Sequence, residues 1–391
     1  DHLLSDCIVD HVGRQLRWVR AVCVAKLGQD IALRHRAGLD IIQRDKSAAD
    51  GVRVGGYARA VANHVGASHA VAVNSATSAL HIACLALGLG GGDRLWTSPN
   101  TFVASANAGL YCGATVDFVD IDPRTFNMCA NALAEKLVQA KIDGTLPKIV
   151  IPVAMCGQSC DMKAIRELAN QYDFKIIEDA SHAIGARYKD AFVGNGAFAD
   201  ITIFSFHPVK IITTAEGGLA TTNDADLAQQ MDYLRSHGVT RVPDLMVGDS
   251  DGPWYYEQVA LGYNYRMTEM QAALGISQMT RLDEYVAARA ARAAVYDAAL
   301  VGLPLDLPRQ LPDAASSWHL YIIRLHDASR HRAAFEALRG EGIGVNLHYI
   351  PVHTQPYYQG LGHQKGDFPI AEDYYSRAIS IPLYATMTDS D

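Results

Sequence analysis

The sequence lacks an apolar segment that is long enough to cross a bilayer. A membrane-spanning helix needs about 20 consecutive apolar residues. The longest apolar run near the N-terminus covers residues 18–25, is interrupted by Arg20, and carries no cleavage-site pattern of a secretory leader. The sequence therefore predicts a protein that has no membrane partner.

Cysteine is scarce and confined to the first half of the chain. All seven cysteines lie between Cys7 and Cys160, and their spacing matches no disulfide framework. An odd number of unpatterned cysteines predicts a reducing, cytoplasmic location. Cys156 and Cys160 are close together, but no second Cys/His pair stands at zinc-finger distance, so we predict no metal site.

Positive charge is in the minority, with 34 Lys and Arg against 42 Asp and Glu, which gives a formal net charge of −8. This balance gives no support to nucleic-acid binding. Hydrophobic residues make up 49% and charged residues 19% of the 391 positions, which is typical of a globular protein and argues against a disordered chain. The length suffices for one large domain and one smaller domain.

Between His69 and Asn223, short apolar runs alternate with segments of helical periodicity. The predicted strands cover residues 69–74, 94–99, 115–122, 148–153, 174–180, 200–206 and 217–223, and the helices between the first five cover 78–90, 101–113 and 161–172. Strands that alternate with helices of this length predict a mainly parallel sheet covered on both faces. In such sheets the ligand lies beyond the carboxyl ends of the strands.

The second half of the chain has a different organisation. A glycine- and acid-rich stretch over residues 247–253 is followed by one long helical pattern over 267–300, a strand over 319–325 and a helix over 331–342. We predict an α/β protein in three parts. These are a divergent N-terminal segment 1–56, a large domain 57–250 with a mostly parallel central sheet, and residues 251–391 as a linker helix with a smaller C-terminal α/β domain.

The ends of two predicted strands carry candidate ligand-binding residues. The stretch "NSATSA", residues 74–79, ends a strand and opens a helix, whose unpaired N–H groups and dipole attract an anion; a plain N-cap at Ser75 or Thr77 explains it equally well. Asp179 ends an apolar strand, where a carboxylate is costly unless a cation such as a pyridinium nitrogen meets it. Otherwise it caps the following turn. His182, three residues further on, can reach the same ring.

Lys210 stands between two predicted strands, beside Val209, Ile211 and Ile212. An exposed loop lysine is one interpretation. In the other, an apolar pocket lowers the pKa of the amine, which then attacks an aldehyde, and Ser205 binds a phosphate nearby.

An aromatic residue completes the set of candidates. Phe102 follows another predicted strand, where it either stacks on a flat cofactor or belongs to the core. A lysine, an acid, an aromatic ring and hydroxyl groups, in this order and at strand ends, together predict a site for pyridoxal 5′-phosphate.

From about Tyr57 onward the chain resembles the DegT/DnrJ/EryC1 family of sugar-nucleotide aminotransferases. The resemblance is carried by "VNSATSALH", "EDASHAIG", "SFHPVKIITTAEGG", "RSHGVTR", "LGYNYRM" and "HYIPVH". Within the family these motifs are most similar to the UDP-4-amino-4,6-dideoxy-N-acetyl-β-L-altrosamine transaminases of pseudaminic acid biosynthesis. The resemblance implies the fold type I of pyridoxal-phosphate-dependent aminotransferases.

The resemblance also implies roles for single residues. Lys210 would bind the cofactor covalently and move the proton, Asp179 would pair with the pyridinium nitrogen, and His182 would lie near the ring hydroxyl. The remaining implied contacts are stacking by Phe102, phosphate binding by Thr77, Ser78 and Ser205, binding of the neighbouring subunit's phosphate by Asn264, and sugar-nucleotide binding by His348, Tyr349 and His353.

The implied reaction moves an amino group from L-glutamate to C4 of a UDP-linked 4-keto-6-deoxy-N-acetylhexosamine, UDP-2-acetamido-2,6-dideoxy-β-L-arabino-hexos-4-ulose. The implied assembly is a cytoplasmic homodimer with shared active sites. Two alternatives stay open at this point. One is the same chemistry on another nucleotide-linked 4-keto sugar, such as a dTDP- or GDP-linked one. The other is a catalytically silent dimer that binds the cofactor or a partner.

The chain departs from the family pattern in four places, one of which is the stretch "PVAMCGQSC" over residues 152–160, where a version that contains histidine is commoner. Residues 12–40 are arginine-rich and lack the segment that usually shapes the substrate mouth, and the sequence stops at residues 387–391, where a final helix is expected. Ala215 stands where glycine is usual. If that position needs a positive φ, alanine costs about 1 kcal/mol there.

Overall fold

The computed structural model describes residues 52–388 and residue 391. The predictions for the N-terminal segment, including Cys7 and Cys23, therefore lie outside the described residues except at positions 52–56. The first described helix crosses the predicted boundary between residues 56 and 57. The division of the chain into three parts stays a prediction.

Eleven α-helices, numbered in chain order, are present in the described part of the chain. They are α1 (Val52–Val65), α2 (Ala76–Ala86), α3 (Ala104–Tyr111), α4 (Ala130–Asp143), α5 (Met162–Tyr172), α6 (Ala225–Arg235), α7 (Glu269–Met279), α8 (Leu282–Leu300), α9 (His331–Gly340), α10 (Pro356–Gln359) and α11 (Pro369–Arg377).

The strands of the described residues form one large sheet and three small ones. They are β1 (His69–Val73), β2 (Arg94–Thr97), β3 (Thr115–Phe118), β4 (Ile149–Ile151), β5 (Lys175–Asp179), β6 (Arg187–Tyr188), β7 (Ala191–Phe192), β8 (Ile201–Ser205), β9 (Gly218–Thr222), β10 (Val239–Thr240), β11 (Glu257–Gln258), β12 (Leu305–Asp306), β13 (Ala314–Ala315), β14 (Tyr321–Leu325) and β15 (Ala378–Ile381). The large sheet has the order β1-β9-β8-β5-β4-β2-β3.

The direction of the strands determines where a ligand can bind. Strand β9 is antiparallel to both of its neighbours, β1 and β8, whereas β8, β5, β4, β2 and β3 pair in parallel. All strands of this sheet except β9 therefore run the same way, which confirms the predicted, mostly parallel sheet. Their carboxyl ends meet at one edge, and β9 begins at that edge.

Both faces of the large sheet are covered, which explains its near-continuous apolar strands. Ile149 and Ile151 of β4 pack in the same core cluster as α2 and α3, on one face. Val150, between them, packs in the cluster that contains residues of α4 and α5, on the other face. Successive side chains of a strand point to opposite faces, so an apolar residue at every position serves both layers.

A smaller antiparallel sheet, β12-β14-β15, follows in the C-terminal part. Its core cluster joins residues of α8, α9, β14 and β15. The predicted strand over 319–325 and helix over 331–342 are found as β14 and α9. No helix of the described residues is long and apolar enough to span a membrane, and the same residues hold no cluster of His, Cys, Asp or Glu suited to a metal ion.

The prediction of one continuous helix over residues 267–300 is wrong. Two helices, α7 and α8, occupy this range. Helix α7 begins at a capping box between Thr268 and Gln271, and the chain leaves helical geometry at Arg281, with φ −113° and ψ 0°. The Thr280 hydroxyl donates a hydrogen bond to the Ser277 carbonyl at 2.8 Å. Hydrophobic periodicity continues across this break, so it gave no signal in the sequence.

The backbone of Ala215 has the positive φ on which the predicted steric cost of alanine depends. Ala215 adopts a φ of 68°, in the left-handed region that glycine occupies without steric cost. Its backbone N–H donates to the Thr213 hydroxyl at 3.0 Å, which holds the loop in place. The loop therefore carries the strain that the sequence suggested.

We expect Ala215→Gly to raise the free energy of unfolding by about 1 kcal/mol, because glycine removes the clash of Cβ in the left-handed region. Chemical denaturation followed by circular dichroism measures the change. Ala287, exposed on α8, is the matched control: Ala287→Gly should lower stability by about 1 kcal/mol, as glycine does inside a helix. Equal loss of stability in both variants would contradict the strain at Ala215.

Candidate active site

A cavity of about 300 Å³ opens at the edge where the carboxyl ends of the strands meet. We call it the Lys210 cavity. Five predicted site residues that lie at or just beyond the strand ends of the large sheet line it, namely Thr77, Phe102, Asp179, Ser205 and Lys210. They follow four different strands, β1, β2, β5 and β8, so the sheet brings together side chains that are far apart in sequence. Two further predicted residues, His182 and Tyr349, also line the cavity.

The start of α2 forms one wall of the cavity. Ser75 is the N-cap, and its side chain accepts a hydrogen bond from the Ser78 N–H at 3.1 Å. Strand β9 passes so close that a Cβ on Gly218 would lie 2.3–2.4 Å from the backbone of Ser75 and Ala76. Only glycine permits this approach, which brings a helix N-terminus with its unpaired N–H groups to the cavity.

The structure separates Thr77 from Ser78, which the sequence placed together at a phosphate. Thr77 lines the cavity, whereas Ser78 does not. The Ser78 hydroxyl donates to Asn74 Oδ1 at 2.7 Å and lies 2.9 Å from the Ser75 hydroxyl. The Ser78 hydroxyl therefore stabilises the turn between β1 and α2. Ser75, rather than Ser78, lines the cavity beside Thr77.

Asp179 ends β5 and is buried at the cavity. Its Oδ2 accepts a hydrogen bond from the Ser105 hydroxyl at 2.7 Å, and its Oδ1 accepts one from the Ser181 N–H at 3.1 Å. The hydrogen bond from Ser181 shows that Asp179 also caps the following turn, which was the alternative interpretation in the sequence analysis. Ser105 also lies 2.9 Å from the Thr101 hydroxyl and was missed by the sequence analysis, because nothing in the pattern of α3 distinguishes it.

Lys210 is half-buried and points its amine into the cavity. Burial lowers the pKa of the Lys210 amine from its usual 10.5 to about 8, and the charge of Asp179 opposes this change. Of its apolar neighbours, Ile211 and Ile212 are buried in the core while Val209 is 55% exposed. The two buried neighbours and the more exposed Val209 therefore give the Lys210 stem an apolar environment on one side only.

His182 lies deep in the cavity wall beside Tyr349. Its Nε2 is 3.2 Å from the Tyr349 hydroxyl, and its Nδ1 is buried without a hydrogen-bond partner. Burial, followed by the charge of Lys210, lowers the pKa of His182 well below its usual value, so the ring is neutral. The imidazole of His319, a residue that the sequence analysis missed, stands 4.4 Å away between ring centroids.

Phe102, His207 and Glu216 all line the cavity near its mouth. Phe102 is 59% exposed, which excludes the core interpretation, and its ring lies 6.1 Å from that of Tyr349. His207 Nε2 lies 3.7 Å from Glu216 Oε1, and both residues line the cavity. This pair was not singled out from the sequence, although both members flank Lys210 in the same motif.

The predicted substrate residues do not all reach the cavity. His348 is half-buried, and its Nδ1 lies 2.8 Å from the Ser380 hydroxyl; burial lowers the pKa of His348 to about 4. His353 is fully buried instead, with its Nε2 2.9 Å from Glu372 Oε1. It is not among the residues that line the cavity, because the turn after Tyr349 directs it into the core.

Asn264 lies beside the cavity wall rather than in it. The residue is exposed, and its carbonyl accepts a hydrogen bond from Asn74 Nδ2 at 3.5 Å. The described chain by itself therefore leaves the Asn264 side chain free to face another molecule.

The residues of the cavity fit a pyridoxal phosphate. The unpaired Nδ1 of His182 offers a contact to a ring substituent, and the helix start at Ser75 offers N–H and hydroxyl groups to a phosphate. The buried carboxylate of Asp179 suits a protonated ring nitrogen, and the exposed face of Phe102 suits a flat ring. Lys210 supplies the amine.

We expect the reactivity of Lys210 in cofactor-free protein to rise with pH around a midpoint of about 8, because the neutral amine reacts and burial favours it. Modification by trinitrobenzenesulfonate, located by peptide mass spectrometry, measures the midpoint. Asp179→Asn should move it to lower pH, since the carboxylate raises the pKa of Lys210. Lys175, exposed at the start of β5, is the internal reference. Identical profiles for both lysines would contradict the burial of the amine.

Known proteins match the chain over most of its length. The model of the DegT/DnrJ/EryC1/StrS aminotransferase family matches residues 32–391. GDP-perosamine synthase of Caulobacter vibrioides is 37% identical over 339 residues, 86% of each chain. UDP-4-amino-4,6-dideoxy-N-acetyl-beta-L-altrosamine transaminase of Campylobacter jejuni is 36% identical over 353 residues, 89% of each chain.

A solved structure agrees with these relatives. Helicobacter pylori PseC, an aminotransferase involved in the biosynthesis of pseudoaminic acid, superposes with a TM-score of 0.81 at 30% identity, covering 91% of this chain and 92% of the other. The family match, the site and the fold agree, and they confirm the predicted cofactor and reaction class. The chain belongs to the DegT/DnrJ/EryC1/StrS aminotransferase family and is a sugar aminotransferase that depends on pyridoxal phosphate.

Proposed function

We propose that this aminotransferase moves an amino group from L-glutamate to C4 of a UDP-linked 4-keto-6-deoxy-N-acetylhexosamine, as in pseudaminic acid biosynthesis. The observation that carries the site assignment is the half-buried Lys210 amine in a cavity that also holds Asp179 and the start of α2. The similarity to the Campylobacter transaminase and to the Helicobacter structure supports the substrate.

Lys210 is proposed as the covalent anchor of the cofactor and as the base that moves the proton. A pKa of about 8 leaves a useful fraction of the amine neutral near pH 7, where an ordinary lysine is almost fully charged. The bound cofactor supplies an aldehyde that accepts the amino group and a ring that takes up carbanion charge. Lys210 and Asp179 line the same cavity, so one proton can be held at the amine while the carboxylate faces the ring.

Asp179 is proposed to hold the proton of the cofactor's ring nitrogen. Ser105 and the Ser181 N–H fix both carboxylate oxygens, so the carboxylate cannot rotate away from the ring. His182 is proposed to contact the ring hydroxyl through its unpaired Nδ1, while the Tyr349 hydroxyl fixes its other nitrogen.

Binding of the phosphate and the ring face completes the proposal for the cofactor. The Thr77 and Ser205 hydroxyls and the N–H groups at the start of α2 would hold the phosphate, and Phe102 would cover the ring. Ser78 supports this cradle indirectly, through the turn at Asn74. Because Tyr349 extends from the C-terminal part toward Phe102, it would exclude water from one side of the substrate.

The proposed substrate and subunit contacts involve residues of the C-terminal part and Asn264. His348 and Tyr349 would contact the sugar nucleotide, whereas the buried His353 would support their loop through Glu372. The exposed Asn264 would reach the phosphate in a second copy, in a cytoplasmic homodimer. A protein that is monomeric at assay concentration would remove this part of the proposal.

A second candidate is the same transfer to a GDP-linked 4-keto sugar. The specific observation in its favour is the GDP-perosamine synthase of Caulobacter, which is as similar to this chain as the UDP-sugar transaminase. The two candidates share the cofactor site and differ only in the nucleotide and in the sugar.

We expect the purified protein with pyridoxal phosphate to be yellow and to lose its visible absorbance when L-glutamate is added, because the amino group moves onto the cofactor. Lys210→Ala should not show the starting visible band of the wild type. Lys175→Ala, at an exposed position, is the matched control and should behave as the wild type. A Lys210→Ala protein that still cycles with glutamate would contradict the role of Lys210.

We expect the protein loaded with the amino group to regain its visible absorbance with the UDP-linked 4-keto-6-deoxy-N-acetyl sugar at least tenfold faster than with a GDP- or dTDP-linked 4-keto sugar. Such a preference corresponds to about 1.4 kcal/mol of transition-state discrimination. Mass spectrometry of the aminated nucleotide sugar identifies the product. A preference for the GDP sugar would select the second candidate.

A further inference from the structure

Two buried hydroxyl groups stand in line behind the carboxylate of Asp179. The Ser105 hydroxyl lies 2.7 Å from Asp179 Oδ2, and the Thr101 hydroxyl lies 2.9 Å from that of Ser105. Thr101 is 2% and Ser105 1% exposed, so bulk water does not compete for these contacts. Both residues line the Lys210 cavity, and the function proposed above gives Thr101 no part. We call Thr101 and Ser105 the hydroxyl pair.

The direction of the hydrogen bonds follows from the number of protons in the hydroxyl pair. An ionised carboxylate only accepts, so the single hydroxyl proton of Ser105 points to Asp179 Oδ2. The other acceptor within reach, the Phe102 carbonyl, is 3.5 Å from the Ser105 oxygen and is therefore the weaker partner. The Ser105 oxygen then accepts from Thr101. A hydroxyl that accepts a hydrogen bond becomes a stronger donor, so Thr101 acts on Asp179 through Ser105.

The carboxylate of Asp179 keeps acceptor positions for a ligand. Its two oxygens offer about four such positions, and the Ser105 hydroxyl and the Ser181 N–H take one on each oxygen. Asp179 also lines the cavity, so a ligand there can reach the carboxylate. A hydrogen bond to an ionised carboxylate stabilises its negative charge. The two donors therefore oppose the transfer of a proton from a bound ligand to Asp179.

The turn that carries the hydroxyl pair is anchored by contacts within the protein. Asn100, which is buried, stands directly before Thr101. Its Nδ2 donates to the Phe126 carbonyl at 3.3 Å, and its Oδ1 accepts from the Tyr349 N–H at 3.3 Å. These contacts hold the turn in place without a ligand. Donors that are in position before a ligand binds need no reorganisation when its charge arrives.

We propose that Thr101 and Ser105 are positioning residues that keep the proton of the cofactor's ring nitrogen on that nitrogen. The hydroxyl pair stabilises the ionised form of Asp179, and the ionised carboxylate stabilises the protonated ring. Loss of the pair weakens the preference of the proton for the nitrogen over the carboxylate. This inference rests on the contact proposed above between Asp179 and the ring nitrogen.

The test compares two ligands that differ at the ring nitrogen. Cofactor-free, full-length protein is titrated in a calorimeter with pyridoxal phosphate and with 1-deazapyridoxal phosphate, in which a C–H group replaces the nitrogen. Ser105→Ala should weaken the binding of pyridoxal phosphate about tenfold, and that of the deaza ligand less than about twofold. A purely structural loss would weaken both ligands alike. Equal weakening would therefore overturn the proposal.

Two substitutions at Thr101 test the outer member of the hydroxyl pair and keep the test valid if Ser105→Ala does not fold. Thr101→Val is nearly isosteric and removes the donor to Ser105. It should lower the preference for pyridoxal phosphate over the deaza ligand about threefold. Thr101→Ser retains the hydroxyl and should keep the preference of the wild type. A preference that is lost in both variants, or in neither, would contradict the role of Thr101.

Thr97 supplies the matched control. Its buried hydroxyl donates to the Ile151 carbonyl at 2.8 Å, and Thr97 does not line the cavity. Thr97→Val therefore removes a buried hydroxyl from the same part of the sheet without touching Asp179. It should leave the ratio of the two dissociation constants at the wild-type value. A change in this ratio as large as that in Ser105→Ala would overturn the proposal.

The wild type and Asp179→Asn separate this proposal from the one on which it rests. Wild-type protein should bind pyridoxal phosphate more tightly than the deaza ligand, and Asp179→Asn should abolish that preference. A wild type without the preference would overturn the proposed role of Asp179 and this inference with it. A wild-type preference that survives in both Ser105→Ala and Thr101→Val would overturn this inference alone. Neither result depends on the identity of the nucleotide sugar.

Discussion

The interaction on which the rest of the site depends is the one between a partly buried amine and a buried carboxylate. Removing the Lys210 amine from water disfavours its charged form, and Asp179 restores part of that preference. If burial acted alone, the pKa of the amine would fall further, and if Asp179 acted alone, it would rise. The balance leaves a pKa of about 8, at which the amine can be both nucleophile and proton carrier near neutral pH.

The large sheet determines where this balance can exist. Asp179 ends β5, and Lys210 lies in the loop after β8, which pairs with β5 in parallel, so both residues arrive at the same edge. The start of α2 reaches this edge because Gly218 permits β9 to pass within backbone contact. The C-terminal part closes the cavity through Tyr349, whose N–H donates to Asn100 Oδ1 at 3.3 Å.

The sequence predicted those parts of the structure that follow from strand order and local chemistry. Asp179, Ser205 and Lys210 could be found because polar residues at the ends of apolar strands are costly without a partner. Ser105 and the pairing of His182 with Tyr349 depend on how distant segments pack, and no local pattern encodes that packing. The burial of His353 and the break between α7 and α8 escaped prediction for the same reason. The φ of Ala215 was anticipated only because a glycine is usual at that position.

The central claim is that Lys210, rather than another amine of the protein, binds the cofactor covalently. Reduction of the holoenzyme with borohydride, followed by tryptic mapping, tests this claim most directly. A pyridoxyl group on Lys210 would block cleavage there and give one modified peptide over residues 190–235. The account predicts this peptide as the main labelled product. A label on any other lysine, with residues 190–210 and 211–235 recovered as separate unmodified peptides, would contradict it.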